Sequence, residues 1–221
     1  MELPAACLFD LDGLLLDTEP LHAEAWQRTS SHFGRPLNDS ELLSLRGRRR
    51  LDCAEQVRRW IRETGLTVPD SEALLAVRQP IAEALMLQAP PMAGARSLLE
   101  RCAALQIPMA LATSSSSAAV AHKSTPHPWL ELITVRVHGD DPALRAGKPE
   151  PDVFLLAAER LGIAAELCWA FEDSPAGATA AVRAGCRVHV VAPDGLGRGS
   201  YPDGVIWLAS AALLLWMLNH A

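Results

Sequence analysis

The chain has 221 residues, of which 49% are hydrophobic, and a net charge of −6. That is enough apolar material for one large domain, or for a core with a smaller partner. The negative charge argues against a nucleic-acid or membrane-surface protein, because both need clustered positive charge. The one basic cluster, Arg46 with Arg48 to Arg50, is local.

The first apolar run, Ala5 to Phe9, ends at Asp10-Leu11-Asp12-Gly13. A short apolar run bounded by a turn signal reads as a buried strand. In an open α/β sheet its carboxyl end faces the ligand-binding edge. Two aspartates at alternate positions share a face. Carboxylates held that close repel, unless a divalent metal sits beside them or one keeps a proton. Asp-Gly also favours a hairpin turn. A calcium loop is excluded, because Leu14 and Leu21 stand where acidic ligands would be needed.

A helical stretch follows. Leu21, Ala25, Trp26, Thr29 and Phe33 recur at helical spacing, and Gly34 closes the segment. Asp39 or Ser40 can cap a short second helix. Leu51, Ala54, Val57 and Ile61 mark a third, stopped at Gly65. Ser71 opens a fourth with Leu74, Leu75, Ile81 and Leu85, which Pro80 should kink or break.

After Pro90-Pro91 the pattern changes. Leu98, Leu99, Cys102 and Leu105 give an amphipathic helix, and Met109 to Ala112 a second strand that ends at Thr113 and four serines. Thr134 to Val137 is a third strand candidate. A polar loop with Asp140-Asp141-Pro142 and Gly147-Lys148-Pro149 precedes a helix built on Phe154, Ala157, Ala158 and Leu161. Cys168 to Phe171 is a fourth strand, ending at Glu172-Asp173. Ser174-Pro175 caps the next helix, and Arg187 to Val191 is a fifth strand.

Alternating strands and helices imply a parallel sheet covered by helices on both faces. The interval from Phe9 to Met109 far exceeds the about thirty residues of a β-α-β unit. Its helical surplus reads as a second domain inserted just after the carboxylates, placed like a lid over the reactive edge.

The remaining features set the compartment. Five cysteines, at 7, 53, 102, 168 and 186, include no C-x-x-C pair, and several sit in apolar runs. They read as free buried thiols in a reducing cytoplasm. The beginning, Met1-Glu2-Leu3-Pro4, does not read as a signal peptide. Val205 to Leu218 is too short to span a bilayer, and Ser210 interrupts it.

The strand ends thus gather two carboxylates, a hydroxyl, an ammonium and a second acidic pair. This inventory suits phosphoryl transfer, whose anionic group needs positive charge and donors around it. Lys148 supplies charge. Thr113, the Ser114 backbone and the following helix N-terminus supply donors. Asp10 and Asp173 can hold Mg²⁺, a hard ion that prefers carboxylate oxygens.

Four segments, Asp10-Leu11-Asp12-Gly13, Thr113, Lys148-Pro149 and Glu172-Asp173, resemble the motifs of the haloacid dehalogenase-like phosphatase superfamily. Leu111 to Ser115, Gly139 to Pro142, Gly147 to Asp152 and Lys123-Ser124-Thr125 are most similar to its branch of pseudouridine 5′-phosphatases and glycerol-3-phosphatases. The front half also resembles β-phosphoglucomutase. The resemblance implies an α/β fold: a Rossmann-like parallel-sheet core of residues 1–17 and 87–221, with a small α-helical cap inserted as residues 18–86. It implies that Asp10 attacks phosphorus, and that Asp12 protonates the leaving oxygen and then activates water. Thr113, Ser114 and Lys148 would hold the phosphoryl group. Asp10, the Asp12 carbonyl, Asp173 and Glu172 would hold Mg²⁺. Arg46, Gly47 and Arg50 match substrate-contacting cap positions, and Thr18 and His22 match positions near the hinge. Asp12 favours phosphoester chemistry over dehalogenation, because a halide leaves without a proton. The expected enzyme is a cytoplasmic, monomeric, Mg²⁺-dependent phosphatase of small phosphorylated metabolites. A phosphomutase of the β-phosphoglucomutase type and a non-enzymatic binding protein are the alternatives.

Overall fold

The computed structural model describes residues 3–45, 50–193 and 196–208. The chain divides into two compact units, residues 18–89 and the rest.

The larger unit is built on a parallel sheet of six strands among the described residues: β1 (Ala6–Phe9), β2 (Met109–Ala112), β3 (Val135–Val137), β4 (Cys168–Glu172), β5 (Arg187–Val190) and β6 (Ile206–Trp207). Their order is β3-β2-β1-β4-β5-β6. Every pairing is parallel, so all carboxyl ends share one edge. β1 and β2 are buried along their whole length, which is why they read as unbroken apolar runs. The order reverses at β1, between β2 and β4, and that topological switch point opens the ligand crevice of such sheets.

Strand β6 escapes sequence reading, since a pair of residues carries no period. The third strand begins at Val135 rather than Thr134.

Aromatic packing ties the central strands together. Phe9 stacks on Phe171 at 5.0 Å and Phe171 on His189 at 5.0 Å. His189 is fully buried, and burial, reinforced by Arg187, pulls its imidazole down to about 4. An unfolded chain therefore takes that proton first, and stability falls as pH drops from about 6.5 toward about 4. The loss is on the order of 3 kcal/mol by the lower end of that window. In His189→Leu, urea midpoints measured against pH should lose this acid-side slope. An unchanged slope would remove the assignment.

The smaller unit contains α1 (Glu19–His32), α2 (Asp39–Leu45), α3 (Arg50–Glu63) and α4 (Ser71–Met86). Trp26, Leu37, Leu45, Cys53, Ala54, Val57, Ile61 and Leu74 form its core. Asp70 caps α4, its carboxylate accepting from the Ala73 N–H at 2.7 Å. Contrary to the break allowed from sequence, α4 continues through the exposed Pro80. Leu74, Ala82, Leu85 and Met86 bury on both sides of it, and that packing outweighs the roughly 3 kcal/mol cost of an interior proline.

The larger unit's helices are α5 (Ala95–Ala104), α6 (Ser117–Ser124), α7 (Asp152–Leu161) and α8 (Pro175–Arg183). Ser116 and Ser174 cap α6 and α8 through their hydroxyls, and these helices follow the carboxyl ends of β2 and β4. No helix among the described residues is long and apolar enough to cross a membrane.

Candidate active site

Asp10 leaves β1 with its N–H donating to the Phe171 carbonyl at 3.1 Å. This bond holds the first residue past β1 against β4. Lys148 Nζ then bridges two strand ends, lying 2.6 Å from Asp10 Oδ1 and 2.5 Å from Glu172 Oε1. Lys148, Asp10 and Glu172 are all buried, with side-chain exposures of 6%, 9% and 0%. Glu172 Oε2 also accepts from the Ser174 hydroxyl at 3.1 Å.

Asp173 completes the acidic set. It, Asp10 and Glu172 each present a carboxylate oxygen, and the three oxygens lie within 4.8 Å of one another. Tyr201, far along the chain, donates its hydroxyl to the Asp173 carbonyl at 2.5 Å. Backbone approaches here tolerate no side chain. A Cβ on Gly13, whose φ is +80°, would run into the Asp173 carboxylate, and one on Gly177 would run into that of Glu172.

Burial pushes the Asp10 carboxyl up to about 7. Lys148 opposes that rise, while Glu172 and Asp12 add to it. Burial alone would lower Lys148, but attraction from Asp10 and Glu172 holds it above the ordinary lysine value. One ammonium is thus insufficient for the negative charge gathered here. The remaining charge and the hard oxygen donors fit a divalent cation such as Mg²⁺.

Thr113 follows β2, buried, with its N–H donating to the Val137 carbonyl at 3.1 Å and its hydroxyl accepting from the Ser115 N–H at 3.1 Å. Ser114 is exposed. A Cβ on Gly139 would meet the Ser114 carbonyl, so the loop after β3 can pack there only with glycine.

Asp12 has partners that sequence reading missed. Lys123 Nζ lies 2.5 Å from its Oδ1 and 2.6 Å from its Oδ2, and the Ser115 hydroxyl donates to Oδ2 at 2.7 Å. A signal existed: Val120, Lys123 and Ser124 follow helical spacing and form the buried face of α6.

The residues assigned to the cap separate into groups. Thr18 is buried at the start of α1. His22 Nδ1 is 3.2 Å from the guanidinium of Arg78, which lies 4.4 Å over the Trp26 ring. Arg50 is exposed and donates to Gln79 Oε1 at 3.2 Å. Arg46 and Gly47 lie outside the described residues. Arg78 itself was not foreseen. It occupies the buried stripe of α4, where burial, together with Arg50, brings its guanidinium down to about 10.

A sequence model of a hydrolase family, the haloacid dehalogenase-like hydrolases, matches residues 4–185. The chain belongs to that family. This hydrolase is 37% identical over 195 residues to "Probable pseudouridine-5'-phosphatase" of Drosophila melanogaster, covering 85% of this chain and 81% of that one. It is 33% identical over 192 residues to (DL)-glycerol-3-phosphatase 2 of Arabidopsis thaliana, covering 85% and 78%. Among solved structures, the hydrolase is similar to CbbY from Rhodobacter sphaeroides in complex with phosphate. The TM-score is 0.78 at 26% identity, covering 98% of this chain and 100% of that one. The resemblance drawn from the strand-end motifs is therefore correct at the level of family and fold.

Proposed function

We propose that this hydrolase is a Mg²⁺-dependent phosphatase of small phosphomonoesters, such as sugar, nucleoside or polyol phosphates, working through an aspartyl-phosphate on Asp10. The observation that carries the reading is the buried cluster of Asp10, Lys148, Glu172 and Asp173 at the switch point of the sheet. The phosphatase names of relatives above 30% identity support the reaction class.

Asp10 supplies the nucleophilic oxygen, which the bond to the Phe171 carbonyl and the Lys148 clamp hold in place. Lys148 neutralises phosphoryl oxygens as the group transfers. The Thr113 hydroxyl and the Ser114 N–H donate to the same oxygens. Asp12 gives a proton to the departing alkoxide and then takes one from the hydrolytic water. Asp10, the Asp12 carbonyl, Asp173 and, at or beside them, Glu172 would hold the cation. When bound, Mg²⁺ would offset carboxylate–phosphate repulsion and polarise the phosphorus.

The helical unit, 18–89, serves in this reading as the cap that selects the substrate. Support comes from where it enters the chain, directly after Asp10 and Asp12. Arg50 is one of its exposed arginines, with Arg28, Arg59 and Arg62, and is the candidate for an anionic substrate. Arg50→Ala should raise KM for the preferred ester roughly tenfold, as loss of a charge-assisted hydrogen bond would. kcat for a small, poorly selective ester should hold. Equal effects on both, or none, would return Arg50 to a solvated helix face.

The five buried free cysteines fit a reducing compartment, and we place the enzyme in the cytoplasm as a monomer. Phosphate release should be measured across sugar, nucleoside, pseudouridine and glycerol phosphates, with Mg²⁺ and with chelator. Release that requires Mg²⁺ and no added sugar bisphosphate is expected. Turnover that depends on a sugar bisphosphate would instead make the enzyme a mutase, and no turnover on any ester would overturn the reading.

A further inference from the structure

We propose that Lys123, with Ser115, is a positioning residue that sets the Asp12 carboxyl for proton transfer to the leaving group. The inference rests on the phosphatase reading above and assigns a role to residues outside the four strand-end segments.

Lys123 sits on the inner face of α6 with only 4% of its side chain exposed. A buried ammonium is costly unless paired and hydrogen-bonded. Here its hydrogen bonds go to both oxygens of Asp12 and, at 2.9 Å, to the Ser115 hydroxyl. That hydroxyl accepts from Lys123 and spends its own proton on Asp12 Oδ2 at 2.7 Å. The three groups close a ring.

Ser115 is itself fixed from two sides. Its N–H donates to Thr113 Oγ1 at 3.1 Å, and its carbonyl accepts from the Gly139 N–H at 2.8 Å. The ring therefore ties Asp12, on the loop after β1, to the loop after β2 and to α6. Asp12 precedes Gly13, whose φ is +80°, and is one-fifth exposed. The ring fixes the orientation of that partly exposed carboxyl. A proton donor displaced by about 1 Å can lose roughly a hundredfold in rate.

In the step concerned, a bond forms between Asp10 and phosphorus, and the bond from phosphorus to the ester oxygen breaks. Asp12 enters the step as the carboxylic acid, having taken one proton from solvent, and passes it to that oxygen. Lys123 and Ser115 keep their protons and do not touch phosphorus. Their effect should appear only where that proton transfer limits the rate.

The test uses the full chain with Mg²⁺ and two substrates: glycerol phosphate, with a poor leaving group, and p-nitrophenyl phosphate, with a good one. The reading is kcat/KM, which reports events only up to loss of the leaving group. Lys123→Met should lower it at least tenfold for the alkyl ester and much less for the aryl ester. Ser115→Ala should do the same to a smaller degree, and Lys123→Arg should recover part of the loss. In an Asp12→Ala background, Lys123→Met should add nothing, because its effect runs through Asp12. Multiplying losses in the double variant, or equal losses on both esters in variants with unchanged near-ultraviolet circular dichroism, would overturn the proposal. If Lys123→Met fails to fold, the Ser115→Ala and Lys123→Arg arms decide by the same criterion. Asp12→Ala alone separates the two failures. If it shows no leaving-group dependence, the role given to Asp12 is wrong. If it shows one and the Lys123 and Ser115 variants do not, only the positioning role falls.

Discussion

Asp10→Asn is expected to lower turnover of every phosphate ester by roughly 10⁴-fold or more, as loss of an essential nucleophile does. The amide keeps the shape and can still accept from Lys148, so the fold should persist. It cannot form an acyl-phosphate. The same variant carries a stability signature of opposite sign. In the metal-free protein burial holds the Asp10 carboxyl at about 7, well above its ordinary value of 3.8. The folded state then binds the proton more tightly than the unfolded chain. Stability from this group is fully present below about 4 and is lost as pH rises toward about 7. Asp10→Asn should remove that loss, so without metal the variant should melt no lower than the parent at pH 7.5. Mg²⁺ should raise the melting temperature of the parent more than that of the variant, because the variant offers one carboxylate fewer. Thermal melts with and without Mg²⁺ check both statements. Near-parent activity in the variant would remove the covalent mechanism.

Asp12→Ala should lower kcat/KM for an alkyl phosphate by about 10²–10⁴-fold, the usual range for general acid catalysis. An activated aryl phosphate should lose far less in kcat/KM, since its phenolate leaves with little help. kcat for the aryl ester should still fall, because the second half-reaction needs Asp12 as a base for water. The physical basis is the carboxyl's place two residues beyond the nucleophile, held by Lys123 and Ser115. Equal losses of kcat/KM on both ester types would mean that Asp12 is not the acid.

Much of this arrangement was legible because the physics of a parallel sheet is legible. β1, β2 and β4 are buried, so each appears as an apolar run that stops abruptly at polar residues. One shared carboxyl edge then brings Asp10, Glu172 and Asp173 within reach of one another, though 163 residues separate the first and last in numbering. Lys148 was readable as a loop cation but not as a clamp between two carboxylates, since loop conformation leaves no period. Lys123 was harder. A lysine on a short helix is usually solvated, and only its spacing from Val120 marked it as buried. Tyr201 gave no signal, because its bond to the Asp173 carbonyl depends on the path of the chain after β5. In the helical unit the helices were evident from spacing. Arg78 was obscured because a charged residue on an apolar stripe runs against the pattern that identifies the stripe.

The covalent role of Asp10 is the central claim, and peptide mapping after borohydride reduction tests it most directly. The enzyme is mixed with a turning-over phosphate ester and Mg²⁺, quenched in acid, reduced and digested. An aspartyl-phosphate is reduced to homoserine, and the account predicts that change at Asp10 and at no other acidic residue, and only when ester and Mg²⁺ are both present. Phosphate release with Asp10 unmodified under the same quench, or with the change on another carboxylate, would contradict it.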